Sequence, residues 1–284
     1  MTGGWSFAFS RRWFGYLAVV VLFAIACVGL SQWQFDRREQ ARAEIERVEN
    51  NWDATPAAIG EVLTGYGDFD VDDTWRRVEV TGRYLTDDET LVRGRPFDGK
   101  PGFAVLVPFL TDDGSVLMID RGWVPVGNSQ DSPDAVPAAP EGEVTVTARL
   151  RAGEPIVPGR SAPEGQMATI HLPDFAERLD EPTYTAAYGA LDSEDPAVSE
   201  MPFETRRPAA DEGPHLSYAF QWIAFGVLAF IGLGWAVRHE YRMRNEEDPA
   251  VQAHAERQRR KREAKGPTDA DVEDAMLDEP VGRR

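Results

Sequence analysis

The sequence predicts a membrane-anchored α+β protein in which two transmembrane helices flank one extracytoplasmic, antiparallel β-rich domain, a small barrel or sandwich. Three observations lead there. Two uncharged apolar runs bracket the chain: residues 13–30, charge-free as far as Phe35, and residues 216–237. Each can cross a hydrocarbon core of about 30 Å at about 1.5 Å per helical residue. Between them, short alternating apolar stretches are separated by turn residues. Basic residues gather after the second run.

That last bias sets the orientation. Arg238, Arg242, Arg244, Arg257, Arg259, Arg260, Lys261 and Arg262 follow the second run, against Arg206 and Arg207 before it. The C-terminus is then expected in the cytoplasm, and with two spans so is the N-terminus. The first run alone argues the other way, with Arg11 and Arg12 before it and Arg37, Arg38, Arg42 and Arg47 after it; the stronger second bias decides. The expected division is a cytoplasmic N-terminus (1–12), a first span (13–35), an extracytoplasmic domain (36–214), a second span (215–237) and a charged, largely disordered cytoplasmic tail (238–284) in the inner or plasma membrane. Ser10-Arg11-Arg12-Trp13-Phe14 has the look of a twin-arginine signal, and Ala24-Ile25-Ala26-Cys27 of a lipoprotein box. The apolar run continues past Cys27, and a processing box usually has Leu where Ala24 stands, so an uncleaved anchor is expected.

Residues 51–214 hold 31 acidic and 13 basic side chains, a net charge of −18 that equals the formal charge of the whole chain. Such a field repels phosphates, so no nucleic-acid partner is expected. Cys27, the only cysteine, lies within the first run, so the domain folds without a disulfide or a thiolate metal site.

Past Phe35, Ala41, Ile45, Val48 and Trp52 recur at helical spacing, and the first span is expected to continue as a helix with this stripe against the domain. Alternation at Val78, Val80 and Tyr84, β-favouring runs at 103–110 and 116–126 joined by an Asp113-Gly114 turn, and alternation again at Val144, Val146, Ala148 and Leu150 give the strands. Residues 127–142 and 153–165 read as loops and 174–180 as a short helix, with 269–279 in the tail.

No catalytic apparatus is visible. Only His171 and His215 could serve a hydrolase outside the membrane; His171 has Asp174 nearby, but Gly159-Arg160-Ser161-Ala162-Pro163 lacks the second glycine of a nucleophile elbow. No metal-ligand spacing appears, and Gly65-Tyr66-Gly67 is followed by acids where a phosphate loop needs a helix.

His215 differs, because it stands after Pro214 at the mouth of the second span. A helix starting there stacks His215, Tyr218, Trp222 and Phe225 along one face, with small Ala219 and Gly226 beside them. One reading is an interfacial aromatic belt capped by His215. The other is an imidazole ligand to the iron of a haem lying against an aromatic helix face.

An ordered set of matches resembles the Surfeit locus one family, assembly factors for haem-copper cytochrome c oxidase. It runs through Trp33-Gln34 with Arg37; Trp75-Arg76-Arg77-Val78 leading to Thr81-Gly82-Arg83-Tyr84; Gly99, Gly102 and Phe103 before Pro108; Val116-Leu117 through Arg121-Gly122-Trp123-Val124-Pro125; and His215-Leu216-Ser217-Tyr218-Ala219 with Gln221-Trp222. Ser31, Ala148 and Gly213-Pro214 depart from the family pattern. The resemblance implies a non-enzymatic, chaperone-like role in respiratory-chain biogenesis, with haem a bound and passed to the catalytic oxidase subunit. It implies oxidase subunits, and a haem a synthase, as partners alongside the lipid bilayer. His215 is then the haem ligand, with Tyr218 and Trp222 on the same face. Arg121 either pairs with a haem propionate or braces the domain with Gly122 and Trp123. The alternative is a non-catalytic subunit that stays with the oxidase or a respiratory supercomplex and binds no haem.

Overall fold

A computed structural model describes residues 4–128, 132–246 and 249–265. It forms two compact units, one of residues 39–212 and one that holds the two apolar helices.

The first unit is a closed barrel. Its elements are β1 (Ala57–Ala58), α2 (Ile59–Val62), β2 (Arg77–Tyr84), β3 (Thr90–Arg93), β4 (Gly102–Thr111), β5 (Val116–Pro125), β6 (Val144–Ala152), β7 (Gln166–Met167), α3 (Leu172–Ala176) and β8 (Ala187–Asp195), preceded by the end of α1 (Arg11–Asn51). Strands pair in the ring β2–β6–β8–β5–β4 and back to β2, which removes the free edges an open sheet would leave. The expected all-antiparallel sheet is corrected in three places: β5 pairs β8 in parallel, as do β1 with β2 and β3 with β7. Each parallel partner follows a long connection, where a two-residue hairpin cannot set direction.

Gly82 closes the ring. It pairs with Thr111, and a Cβ at this position would lie 2.1 Å from the Leu110 carbonyl oxygen, so only glycine permits β2 and β4 to meet. The Asp113-Gly114 turn forms as expected: Ser115 N–H donates to Asp113 Oδ1 at 3.0 Å, and Gly114 takes φ +83°.

β4 shows no clean alternation because both its faces are covered. Phe103, Val105, Val107 and Phe109 point into the barrel with Val78, Val80, Leu117, Ile119, Val146 and Leu150. Ala104 and Leu106 point outward beneath Met167, Ile170, Leu172 and Phe175. The stripe at the end of α1 packs as expected, Val48 and Trp52 being buried with Trp75. Arg149 lies 4.1 Å over the Trp52 ring and Arg151 4.8 Å over Trp75, covering both indoles.

In the second unit, residues of α1 up to 38 pair with α4 (His215–Arg244); α5 (Pro249–Lys265) follows. Both α1 and α4 contain a stretch long and apolar enough to cross a membrane. Almost none of that apolar surface is buried in the chain, unlike a core helix. The basic cluster after residue 245, expected to be irregular, is helical in α5, whose run of Ala, Glu, Gln, Arg and Lys favours that state. Residues 269–279 lie outside the described residues.

Candidate functional site

The mouth of α4 is shaped by two residues that cannot continue a helix backwards. Gly213 takes φ +68° and Pro214 has no N–H, so the helix opens at His215 with Tyr218 N–H donating to the Pro214 carbonyl at 3.1 Å.

From there α4 runs antiparallel to α1 along a seam of four-and-three spacing. Ala219 and Gly226 are buried, with His215 and Trp222 half-buried, facing buried Cys27, Ser31 and Gln34 of α1. A Cβ on Gly226 would lie 3.6 Å from that of Cys27. Small side chains at these positions let the two backbones approach. Phe35 meets Phe220 edge-on at 6.3 Å, and Arg12 pairs with Glu240 at the far end.

Along the face shared by His215, Tyr218, Trp222 and Phe225, burial is uneven. Tyr218 and Phe225 are exposed, while Trp222, edge-on to Phe225 at 5.8 Å, lies half-buried in the row of His215, Ala219 and Gly226. The small residues attract α1 to their side and rotate Tyr218 outward. Trp33 is 54% exposed, because its neighbour Gln34 occupies the seam. Arg37 is exposed as well.

Gln34 supplies the polar element of the site. Its Oε1 lies 2.9 Å from His215 Nδ1. An amide oxygen only accepts, so Nδ1 carries a proton in this contact, and a ring with a single proton has its lone pair on Nε2. A Cβ at position 213 would sit 3.3 Å from Nε2 and Cδ2, so glycine leaves that edge of the ring uncovered. An imidazole tied through Nδ1–H to an oxygen, with Nε2 open, is the arrangement of a metal-ligating histidine. The residues present therefore fit a haem iron, with Trp222 and Tyr218 as the aromatic neighbours on the helix.

Arg121 is put to a different use. Its side chain is fully enclosed in the barrel, where Nη2 donates to Glu194 Oε1 at 2.9 Å and Nη1 to the Pro137 carbonyl at 2.9 Å. Tyr84 completes the cluster: its hydroxyl donates to Glu194 Oε2 at 2.8 Å and its ring lies 5.4 Å from the guanidinium. Burial, then the Glu194 charge, raises the Tyr84 phenol and keeps it protonated. Of the two roles considered for Arg121, this enclosed guanidinium fits the bracing of the domain. Gly122 and Trp123 brace the same strand. Gly122 has φ +128°, and a Cβ there would lie 2.5 Å from the Phe203 carbonyl oxygen. The Trp123 indole N–H donates to the Arg95 carbonyl at 2.7 Å. His171 lies in the barrel unit with Nδ1 2.8 Å from Asp174 Oδ1 at the start of α3.

Glu194 went unread because Ala187–Asp195 mixes Gly, Asp, Ser and Glu without alternation, and only its pairing with β6 and β5 makes it a strand. Gly213 was noted only as a departure from a pattern.

Comparison with known proteins places this architecture. The SURF1 family model matches residues 21–227. A SURF1-like protein of Mycobacterium tuberculosis is 34% identical over 248 residues, covering 85% of this chain and 89% of the relative. A SURF1-like protein of Rickettsia bellii is 23% identical over 217 residues, 75% of this chain and 86% of that one. The cytochrome oxidase assembly protein SHY1 of Saccharomyces cerevisiae is 30% identical over 118 residues, 40% of this chain and 30% of SHY1. The match spans the end of α1's apolar run, the whole barrel and the mouth of α4, and the chain belongs to the SURF1 family.

Proposed function

We propose that this chain is a membrane-anchored assembly factor for a haem-copper (aa3-type) cytochrome c oxidase, and that it holds haem a at His215 for delivery to the catalytic subunit. Family membership and the yeast relative named as an oxidase assembly protein support the assembly role. The exposed apolar surfaces of α1 and α4 support anchoring by both helices, and the basic cluster after α4 supports cytoplasmic ends with the acidic barrel outside. Oxidase subunits, with a haem a synthase upstream, are the partners this role requires.

The haem reading rests on one observation, the Gln34–His215 hydrogen bond. Gln34 holds the ring by its Nδ1 proton, fixes the tautomer and raises the basicity of Nε2. His215 would hold a haem iron through Nε2, the ring nitrogen that Gln34 leaves free. Seated at the first turn of α4, such a ligand would have Trp222 two seam positions further on and the exposed Tyr218 ring beside it. The mouth of a span is also where an ionisable side chain is costly and hence kept for a purpose.

An absorption spectrum of the detergent-purified full chain, produced together with haem a synthesis, tests this. The reading requires a Soret band that titrates with protein. A spectrum without that band, from protein that still co-purifies with oxidase subunits, replaces it with the haem-free interaction subunit.

A further inference from the structure

The barrel carries a second site, independent of the haem reading. A cleft of about 310 Å³ opens beside the distorted stretch of β5, where Gly122 takes its positive φ and the β4–β5 register shifts between Ala104 and Leu106. Bulges of this kind re-aim side chains.

One wall is aromatic. Phe97 stacks on Trp123 at 5.2 Å, and Phe203 closes on both at 5.7 and 5.6 Å. The floor is polar. Asp120, 8% exposed, accepts one hydrogen bond, from Gly122 N–H at 3.1 Å, and has no ion-pair partner within 4 Å among the described residues. Tyr188 is 1% exposed, and its hydroxyl makes no hydrogen bond among the described residues. Both groups line the cleft, where they offer a carboxylate acceptor and a phenol hydroxyl to whatever enters it.

The mouth shows what the wall accepts. The Arg206 guanidinium lies 4.4 Å over the Phe97 ring and reaches Asp98 with both nitrogens, at 2.5 and 2.8 Å. Charge decides the sign of an external ligand. Arg95 lies at the cleft too, but Glu154 holds it bidentately at 2.8 and 2.5 Å. Arg151 lies over Trp75 and Tyr188, at 4.8 and 5.8 Å. Asp98, Asp120 and Glu204 balance Arg95, Arg151 and Arg206 along the cleft itself, so the sign is set by the domain around it, which is strongly acidic throughout. Such a field concentrates cations and repels anions.

We propose that this cleft receives an arginine side chain presented by a partner polypeptide, with Asp120 as counter-ion on the floor, the aromatic wall as the stacking surface, and Arg206 as the chain's own occupant that the partner displaces. A planar guanidinium satisfies both requirements at once, stacking on the rings while donating to the carboxylate and the phenol.

The test uses the full chain in detergent, labelled with 5-fluorotryptophan, with the Trp123 resonance identified by Trp123→Phe. N-acetyl-arginine amide is the probe and N-acetyl-citrulline amide its uncharged isostere. The expected result is a saturable shift of the Trp123 resonance by the arginine probe only. Binding should be at least tenfold weaker in Asp120→Asn, which should still melt cooperatively, and several-fold tighter in Arg206→Ala. Equal binding of citrulline, unchanged binding in Asp120→Asn, or no saturation even in Arg206→Ala would overturn the proposal.

Discussion

Arg121 and Glu194 meet at 2.9 Å inside the barrel with neither side chain exposed, and Tyr84 and the Pro137 carbonyl take up the bonds that remain within reach. A buried pair adds little over well-packed apolar residues, but stranding one partner is costly, roughly 3–5 kcal/mol. Arg121→Leu should therefore lower the denaturant midpoint of the domain strongly, and adding Glu194→Leu should restore part of the loss. The folded fraction of Arg121→Leu should keep any haem it binds. Unchanged stability with lost haem would instead return Arg121 to the propionate role.

Gly82 is a second point where the fold has no alternative. A Cβ 2.1 Å from the Leu110 oxygen forces β2 away from β4 at the closure of the barrel. Gly82→Ala should fail to accumulate, or should melt with the cooperativity of an opened sheet. Wild-type yield and midpoint would show that the closure tolerates displacement.

The sequence carried the strands whose apolar residues alternate or run together, and the hairpin whose turn residues are Asp113-Gly114, because those signals are local. It did not carry β8, whose Gly189, Asp192 and Ser193 form a strand only through β5 and β6. The parallel pairings were invisible for the same reason. At the site, His215 was legible as an ionisable residue at the start of an apolar run and Gln34 as part of the family match. Their mutual contact, across 181 residues, was not. Which part of the α4 face that carries His215 meets α1 was settled by the small residues Ala219 and Gly226, which let the backbones approach. The cleft around Asp120 had no sequence signal, since its walls come from segments about 110 residues apart.

Asp120 makes the barrel's stability depend on pH in an uncommon direction. Burial pushes its carboxyl up to about 6, above the ordinary 3.8. The folded state then holds a proton that the unfolded chain has lost, so this group's contribution is full below about pH 4 and is lost as pH rises to about 6. Asp120→Asn should match wild type in thermal melts at pH 4. At pH 7 it should exceed it by on the order of 2 kcal/mol. An Asn variant no more stable at pH 7 than wild type would show that Asp120 is better solvated than its burial indicates.

Gln34 should act through His215 alone. Gln34→Leu removes the acceptor for Nδ1–H, and loss of such a partner typically lowers metal affinity by 10- to 100-fold. Haem titration of purified Gln34→Leu should give that weakening while the protein accumulates. Gln34→Glu, which keeps an acceptor, should bind close to wild type. Equal haem affinity in Gln34→Leu would reduce the contact to helix packing.

The measurement that tests the central claim most directly is the haem spectrum of His215→Ala beside that of His171→Ala, each purified as full chain after co-production with haem a synthesis. His171 lies in the barrel paired to Asp174, whereas His215 opens the helix whose seam holds Gln34. The expected result is a His171→Ala protein with wild-type haem absorption and a His215→Ala protein that accumulates normally, loses its Soret band and leaves the oxidase with less haem a. Unchanged absorption in His215→Ala, or an equal loss in His171→Ala, would contradict the assignment of the iron ligand.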